Sequence, residues 1–353
     1  MHILVAIAFF PVVESPWASP RKAALKQYKE DVFHQCIFHL FSVDFLEAQY
    51  DGIYVSTWAG KVYHGIPIVS LWVGDHPEQS ILSLIHEGQC PVCGDVIGDF
   101  NNLNTSFKQR DVKKMQEAFV QAKEYFDEEE FGQMIRLLKS AGHACNSIVS
   151  YPYCPTLNSL WMLRWFSYSC LTPEEMHDFS GLFLYLLTQW KKCVVFGYGV
   201  AGSKEGPGHF VDQSYMNMPL FNGLPRFTKG ILHLKTFTAA RHRVLMKTMV
   251  CVMADVFPTD KDWVHLYVCF LEFYALAKQD MHSSDDVKAM KVLLKKFDEA
   301  AHQTLLVWSP TNLNFIKFHV LKHIYFFIVW CGNMRNYSAN VLEALHKIHC
   351  KVS

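Results

Sequence analysis

Apolar and polar positions along the chain divide it into an α/β start and a long helical remainder. Ile66–Val73 is an apolar, β-branched run bounded by Gly65 and by Gly74-Asp75, a pattern that predicts a buried central strand. Ile81, Leu82, Leu84 and Ile85 follow at helical spacing after Pro77. Upstream, residues 3–13 read as a strand that ends near Pro11. Ser19-Pro20 opens a helix over Arg21–Leu40, with Ala24, Leu25, Tyr28, Val32 and Ile37 on its apolar side. Residues 51–58 and 61–64 read as two strands joined by a tight turn at Ala59-Gly60.

Beyond Cys93 the period changes. Residues 107–141 carry two amphipathic helical patterns, and the acidic run Asp127–Glu130 reads as a solvated helix start. Helices are predicted over 173–192, 238–256, 262–279, 284–305 and 313–331, with Gly/Pro loops at 197–208 and 219–230. A helical block this long after an α/β start reads as an insertion or a second domain.

Composition narrows the function. With 353 residues, half of them apolar, the chain can bury a sizeable core. Lys plus Arg equals Asp plus Glu at 33 each, so no global field favours nucleic acid or membrane, and any DNA contact has to be local. Eleven cysteines, an odd number without a small-domain pattern, point to a reducing compartment with thiols that are reduced or metal-bound. The start, MHILVAIAFFPVV, lacks the basic lead of a signal peptide and is interrupted by Pro11, so a core strand is the preferred reading. No run of 18 uncharged apolar residues occurs, so no membrane partner is expected.

Several short patterns carry chemistry. Cys90-Pro-Val-Cys93 has the spacing of half a zinc clip, and the further ligands are sought among His143, Cys145, Cys154 and His177. A redox pair and two packed cysteines are the competing readings. Glu174-x-x-His177, after Thr172-Pro173, puts a carboxylate and an imidazole on one helix face, and Glu343-x-x-His346 repeats the spacing. Two such motifs admit a di-iron carboxylate bundle, although the N-terminal strands do not belong to that fold. Asp75 and Glu343 form a second constellation, two carboxylates that could hold Mg²⁺ or Mn²⁺ for phosphoryl transfer. A strand-end Asp is as often a helix cap. Gly197-Tyr-Gly-Val-Ala-Gly202, after the strand-like Cys193–Phe196, matches a dinucleotide fingerprint; residues 203–208 do not open the helix such a site needs, so it reads as a loop. The basic segments 225–231 and 238–247 could meet phosphates or could be solvated helix faces, and zero net charge favours the latter.

In order and wording these motifs resemble the transposases of Plavaka-type fungal DNA transposons, relatives of the CACTA (EnSpm) and Kyakuja–Dileera–Zisupton groups. The carrying residues are Gly74-Asp-His-Pro-Glu-Gln79, Cys90-Pro-Val-Cys93, Leu171-Thr-Pro-Glu-Glu-Met-His-Asp178, Met218–Leu234 and His319–Lys351, together with the first thirty residues. The resemblance spans almost the whole chain. It implies an RNase H-like α/β core over 1–100, a large all-helical insertion with metal-clip elements over 101–330, and a helix over 331–353 that returns to the core. It further implies D-D-E type DNA cutting and strand transfer with Mg²⁺, Asp75 as the second Asp and Glu343 as the Glu, in a nuclear protein whose partner is DNA and which could act as a homo-oligomer. Cys90, Cys93 and His177 match the family's clip motifs, with Glu174 where the family has Asp, and these imply a structural Zn²⁺. The first triad Asp has no counterpart before Asp31, so the resemblance implies an N-terminally truncated, catalytically incomplete protein. A DNA-binding or scaffold role without catalysis is the alternative.

Overall fold

The structure is a computed structural model that describes residue 14 and residues 22–86, 88–143, 154–197, 206–219, 226–234, 239–256 and 261–338. Residues 3–13, Cys145, Glu343 and His346, singled out above, lie outside the described residues. The chain divides into two units, one drawn from Met1–Asp95 and Phe107–Thr172, the other from Val96–Ser106 and Pro173–Ser353.

In the first unit α1 (Lys22–Leu40) and α2 (Val43–Asp51) precede a hairpin of β1 (Ile53–Ser56) and β2 (Val62–Gly65). The hairpin is antiparallel, pairing Ile53 with Gly65 and Ser56 with Val62, as the alternation and turn residues predict. The central strand expected over Ile66–Val73 is reduced to β3 (Trp72–Val73), which pairs in parallel with β4 (Leu171–Thr172). Pro67 offers no ladder donor, and Ile66 and Ile68 are 47% and 59% exposed, so the apolar run is an extended surface segment and not a buried strand. Among the described residues the strands form two two-stranded sheets, and the chain is mostly helical.

α3 (His76–Ser83) begins directly after β3 and ends at Leu84, which takes a left-handed conformation with φ 52°. α4 (Val112–Asp127) and α5 (Phe131–Ala141) form a helical hairpin over Ala122, Met134, Ile135 and Leu138. The acidic run sits in the turn between them rather than at a helix start. Glu128 caps the end of α4, Glu129 has φ 59°, and Glu130 precedes α5 without a side-chain cap bond. His34 ties α1 to its surroundings. Its Nε2–H donates to the Ile81 carbonyl at 3.0 Å, and its Nδ1 accepts the Ser159 amide at 3.2 Å.

Among the described residues, the regular elements of the second unit are helices, with Val96–Ser106 an irregular segment. A π-helical turn, Glu175–Phe179, leads into α6 (Ser180–Lys192), and a second one, Cys193–Gly197, continues it. The strand expected at Cys193–Phe196 is therefore helix, because Cys193 and Val194 turn inward on the same buried side as Leu187 and Trp190. α7 (Pro207–Met216) does open shortly after the glycine-rich stretch, with Gly206 as N-cap and Pro207 in its first turn. α8 (Ala239–Val256), α9 (Asp262–Ala277) and α10 (Ser284–Leu305) follow the predicted boundaries closely. Ser283 and Asp286 form a reciprocal capping box at the start of α10. The helix predicted over 313–331 is split into α11 (Ile316–His319) and α12 (Leu321–Cys331). Aromatic rings fill the interior: Phe270 of α9 meets Phe179, Phe183 and Phe297 at centroid distances of 6.3, 6.4 and 5.8 Å.

Candidate metal centre and the predicted site residues

The Cys90–Cys93 turn is fixed by backbone bonds that two cysteines alone could not supply. The Cys90 amide donates to Asp95 O at 3.0 Å, and Cys93 bridges to Gln109. The Arg110 amide donates to Val92 O at 3.2 Å, its Nε to Cys90 O at 2.8 Å and its Nη2 to Gln89 Oε1 at 2.8 Å. Both cysteines are buried. The adjacent Cys90 sulfur, together with burial, pushes the Cys93 thiol well above its ordinary range. Two thiols this close resist ionising together unless a cation takes up the charge.

His319 ends α11 and His323 lies one turn on in α12, so both rings share a helix face. Their Nε2 atoms are 3.2 Å apart and both side chains are fully buried. Phe100 packs against His319 at 4.4 Å between ring centroids, the two planes tilted by 36°.

Cys90, Cys93, His319 and His323 form a buried group whose ligand atoms all lie within 4.8 Å of one another. Two sulfurs and two imidazole nitrogens make the soft, borderline donor set that zinc takes in structural sites. Zn–N bonds of about 2.0–2.1 Å at a tetrahedral angle place two nitrogens about 3.3 Å apart, close to the His–His spacing found here. The group can therefore bind a structural metal such as zinc.

Cys90 and Cys93 of this group stand among the ligands expected from the sequence; His319 and His323 do not, and the expected Glu174 and His177 are not part of it. The signal was present: C-x₂-C followed by H-x₃-H is the Cys₂His₂ spacing, here separated by most of the chain. The other candidates are engaged elsewhere. His143 is buried, with Nε2 at 3.2 Å from Met115 O, and burial lowers its pKa to about 4. Cys154 is exposed, its sulfur toward the Pro155 carbonyl.

Glu174 and His177 do share a helix face, as their spacing predicts, but they bond each other. Glu174 Oε2 accepts the His177 amide at 2.8 Å and faces its Nδ1 at 2.9 Å. Asp178 Oδ2 in turn accepts the Glu174 amide at 2.7 Å. Burial raises the Asp178 carboxyl to about 7, against the hydrogen bond from Glu174. This reciprocal arrangement is an N-terminal cap for the turn that follows.

Asp75 is a helix cap too. Its Oδ1 accepts the Glu78 amide at 2.8 Å, and Pro77 occupies the first turn. Glu78 turns back to Trp72, accepting its indole N–H at 3.2 Å. Among the described residues Asp75 joins no group of three or more metal-ligating side chains.

A helical chain built over such a Cys₂His₂ group belongs to the class of proteins that a buried structural metal can stabilise. The comparison with known families is more specific: the family model described as Plavaka transposase matches residues 1–190. That is more than half of the chain, and the protein belongs to the Plavaka transposase family. A search of the curated proteins found no match. No helix of the described residues is long and apolar enough to cross a membrane.

Proposed function

We propose that this chain works in the nucleus as a DNA-engaging member of the transposase family whose fold is secured by one zinc ion on Cys90, Cys93, His319 and His323. The four-residue group carries the metal reading, since its donor types and its His–His spacing suit zinc and not a hard cation. The family match carries the DNA reading. The parallel pair β3–β4, with Asp75 just past β3, supports an RNase H-like ancestry for the first unit.

The same reading holds that the chain does not cut DNA unaided. Asp75 supports this, because the carboxylate expected to hold a catalytic cation caps a helix and, among the described residues, joins no group of three or more metal-ligating side chains. Two-ion phosphoryl transfer needs several carboxylates converging on the metals. Purified protein should carry close to one zinc per chain by elemental analysis and should shift labelled duplex DNA. It should show no Mg²⁺- or Mn²⁺-dependent nicking of supercoiled plasmid. Metal-dependent nicking abolished by Asp75→Ala would replace this reading with an active D-D-E nuclease that uses Asp75 and Glu343. Absence of zinc from the wild-type chain would remove the metal assignment.

A further inference from the structure

The β1–β2 hairpin of the first unit carries apolar side chains on both faces, and both are exposed. Cross-strand pairing puts Ile53, Val55 and Tyr63 on one face and Tyr54, Val62 and His64 on the other. All four residues of β1 are exposed, Tyr54 by 80%. Trp58, in the turn, is wholly exposed. A two-stranded ribbon is marginal on its own in water, and among the described residues no third strand joins this one.

The ribbon is nonetheless held in shape from its base. His64 Nε2–H donates to the Asp51 carbonyl at 2.8 Å, and the ring packs against Tyr54 at 5.0 Å between centroids. Gly52, at φ 74°, leaves the space that the His64 ring fills, where any Cβ would collide with it. The Thr57 amide donates to the Lys61 carbonyl at 2.8 Å and closes the turn. The register runs through four consecutive pairs without a bulge.

Backbone groups that the ribbon does not pair internally point outward along its two edges. The edges differ. β2 is entered from Lys61 and runs on toward Pro67, which has no N–H to donate, and charge and proline both blunt an edge. β1 reads Ile53-Tyr-Val-Ser56, with no charge, no proline and three residues of high strand preference. Its edge carries none of the devices that prevent pairing with another strand.

We propose that β1 is a self-pairing edge: two copies of this chain join their β1 strands antiparallel across a two-fold axis, giving a four-stranded sheet in the order β2-β1-β1-β2. The blunted β2 edges lie outermost, so the assembly stops at two. Two observations select a second copy over another partner. An isologous contact sets side chains beside their own counterparts, so charges near the axis would repel, and β1 has none. The area also fits. Aromatic side chains carry about 150–250 Å² each, so the exposed parts of Tyr54, Trp58 and Tyr63, with the aliphatic residues beside them, offer roughly 600 Å² per copy. Two copies then bury at most about 1,200 Å², the lower limit for stable specific interfaces, which makes the dimer reversible, with a dissociation constant on the order of micromolar.

The test is sedimentation velocity of the full chain from about 1 to about 100 µM. The wild type should pass from the mass of one chain to that of two over this range. Tyr54→Lys and Tyr54→Glu each place like charges near the axis, and each alone should weaken self-association at least tenfold. An equimolar mixture of the two should recover the wild-type association, because the charges then attract. Tyr54→Thr, which keeps the strand preference and removes the ring, should weaken it by about three- to tenfold. Tyr54 is mostly exposed, so all three variants should keep the wild-type circular dichroism and melting temperature. A wild-type chain that stays single at about 100 µM overturns the edge. Lys and Glu variants that each associate as the wild type overturn it too, as does a mixture that stays monomeric. Variants that keep the wild-type mass but lose binding to single-stranded or duplex DNA would assign the hairpin to nucleic acid and overturn the pairing.

Discussion

His319 and His323 face each other through their Nε2 atoms at 3.2 Å, in a fully buried setting. Two neutral imidazoles can share one proton in that geometry, but the same spacing with two cysteine sulfurs alongside is what one tetrahedral zinc requires.

Removing a ligand should therefore cost both metal and stability. His323→Ala and Cys90→Ser should each bring bound zinc well below one equivalent, measured by elemental analysis. Each should also lower the melting temperature to that of the chelator-treated wild type, since binding energy at a structural site is folding energy. Glu174→Gln and His177→Asn should leave the zinc content unchanged.

Arg110 touches the clip without ligating. It donates to the Cys90 carbonyl and to Gln89, and so holds the turn that aims both thiols. Arg110→Met should weaken zinc affinity by about 10- to 100-fold, as loss of an outer-shell partner does elsewhere, while stoichiometry at saturating metal stays at one. Competition with a chromophoric chelator measures this.

The Asp75 cap makes a separate expectation. Asp75→Ala should destabilise the chain by about 1 kcal/mol in urea unfolding, whereas Asp75→Asn, also a good cap, should lose only a few tenths. Equal losses from the two substitutions would show that the charge, and not the cap, is what the position requires.

His34 gives a pH dependence with a definite sign. Burial lowers its pKa from 6.5 to about 4, against the bond it makes to the Ile81 carbonyl. The unfolded chain therefore binds the proton more readily than the folded one. The stability contributed by neutral His34 is fully present above pH 6.5 and is lost as pH falls toward 4, by up to about 3 kcal/mol. Denaturant unfolding of His34→Asn should show a correspondingly shallower acid slope between those limits. His143, lowered to about 4 by burial as well, keeps part of the slope in that variant.

Much of the helical architecture is readable from residue order, because its causes are local. The β1–β2 hairpin follows from alternation around Ala59-Gly60, and α1, α4, α5, α8, α9 and α10 follow from apolar spacing with their caps. The clip at Cys90 and Cys93 is equally local. The strand over Ile66–Val73 failed because an apolar run becomes a buried strand only when neighbours cover both faces, and among the described residues Ile66 and Ile68 stay about half exposed. Cys193–Phe196 failed for the opposite reason. Four β-prone residues were carried on as helix, with Cys193 and Val194 buried beside Trp190.

By itself the sequence determined the family, the cysteine half of the metal group and most helix boundaries, since each depends on residues close together in the chain. Only the tertiary structure decided which imidazoles accompany Cys90 and Cys93, that Glu174 and His177 are spent on each other, and that Asp75 caps α3. The first depends on distances between residues far apart in sequence; the other two are contacts three residues apart, where spacing left two uses of each carboxylate open and competition for hydrogen bonds decided between them.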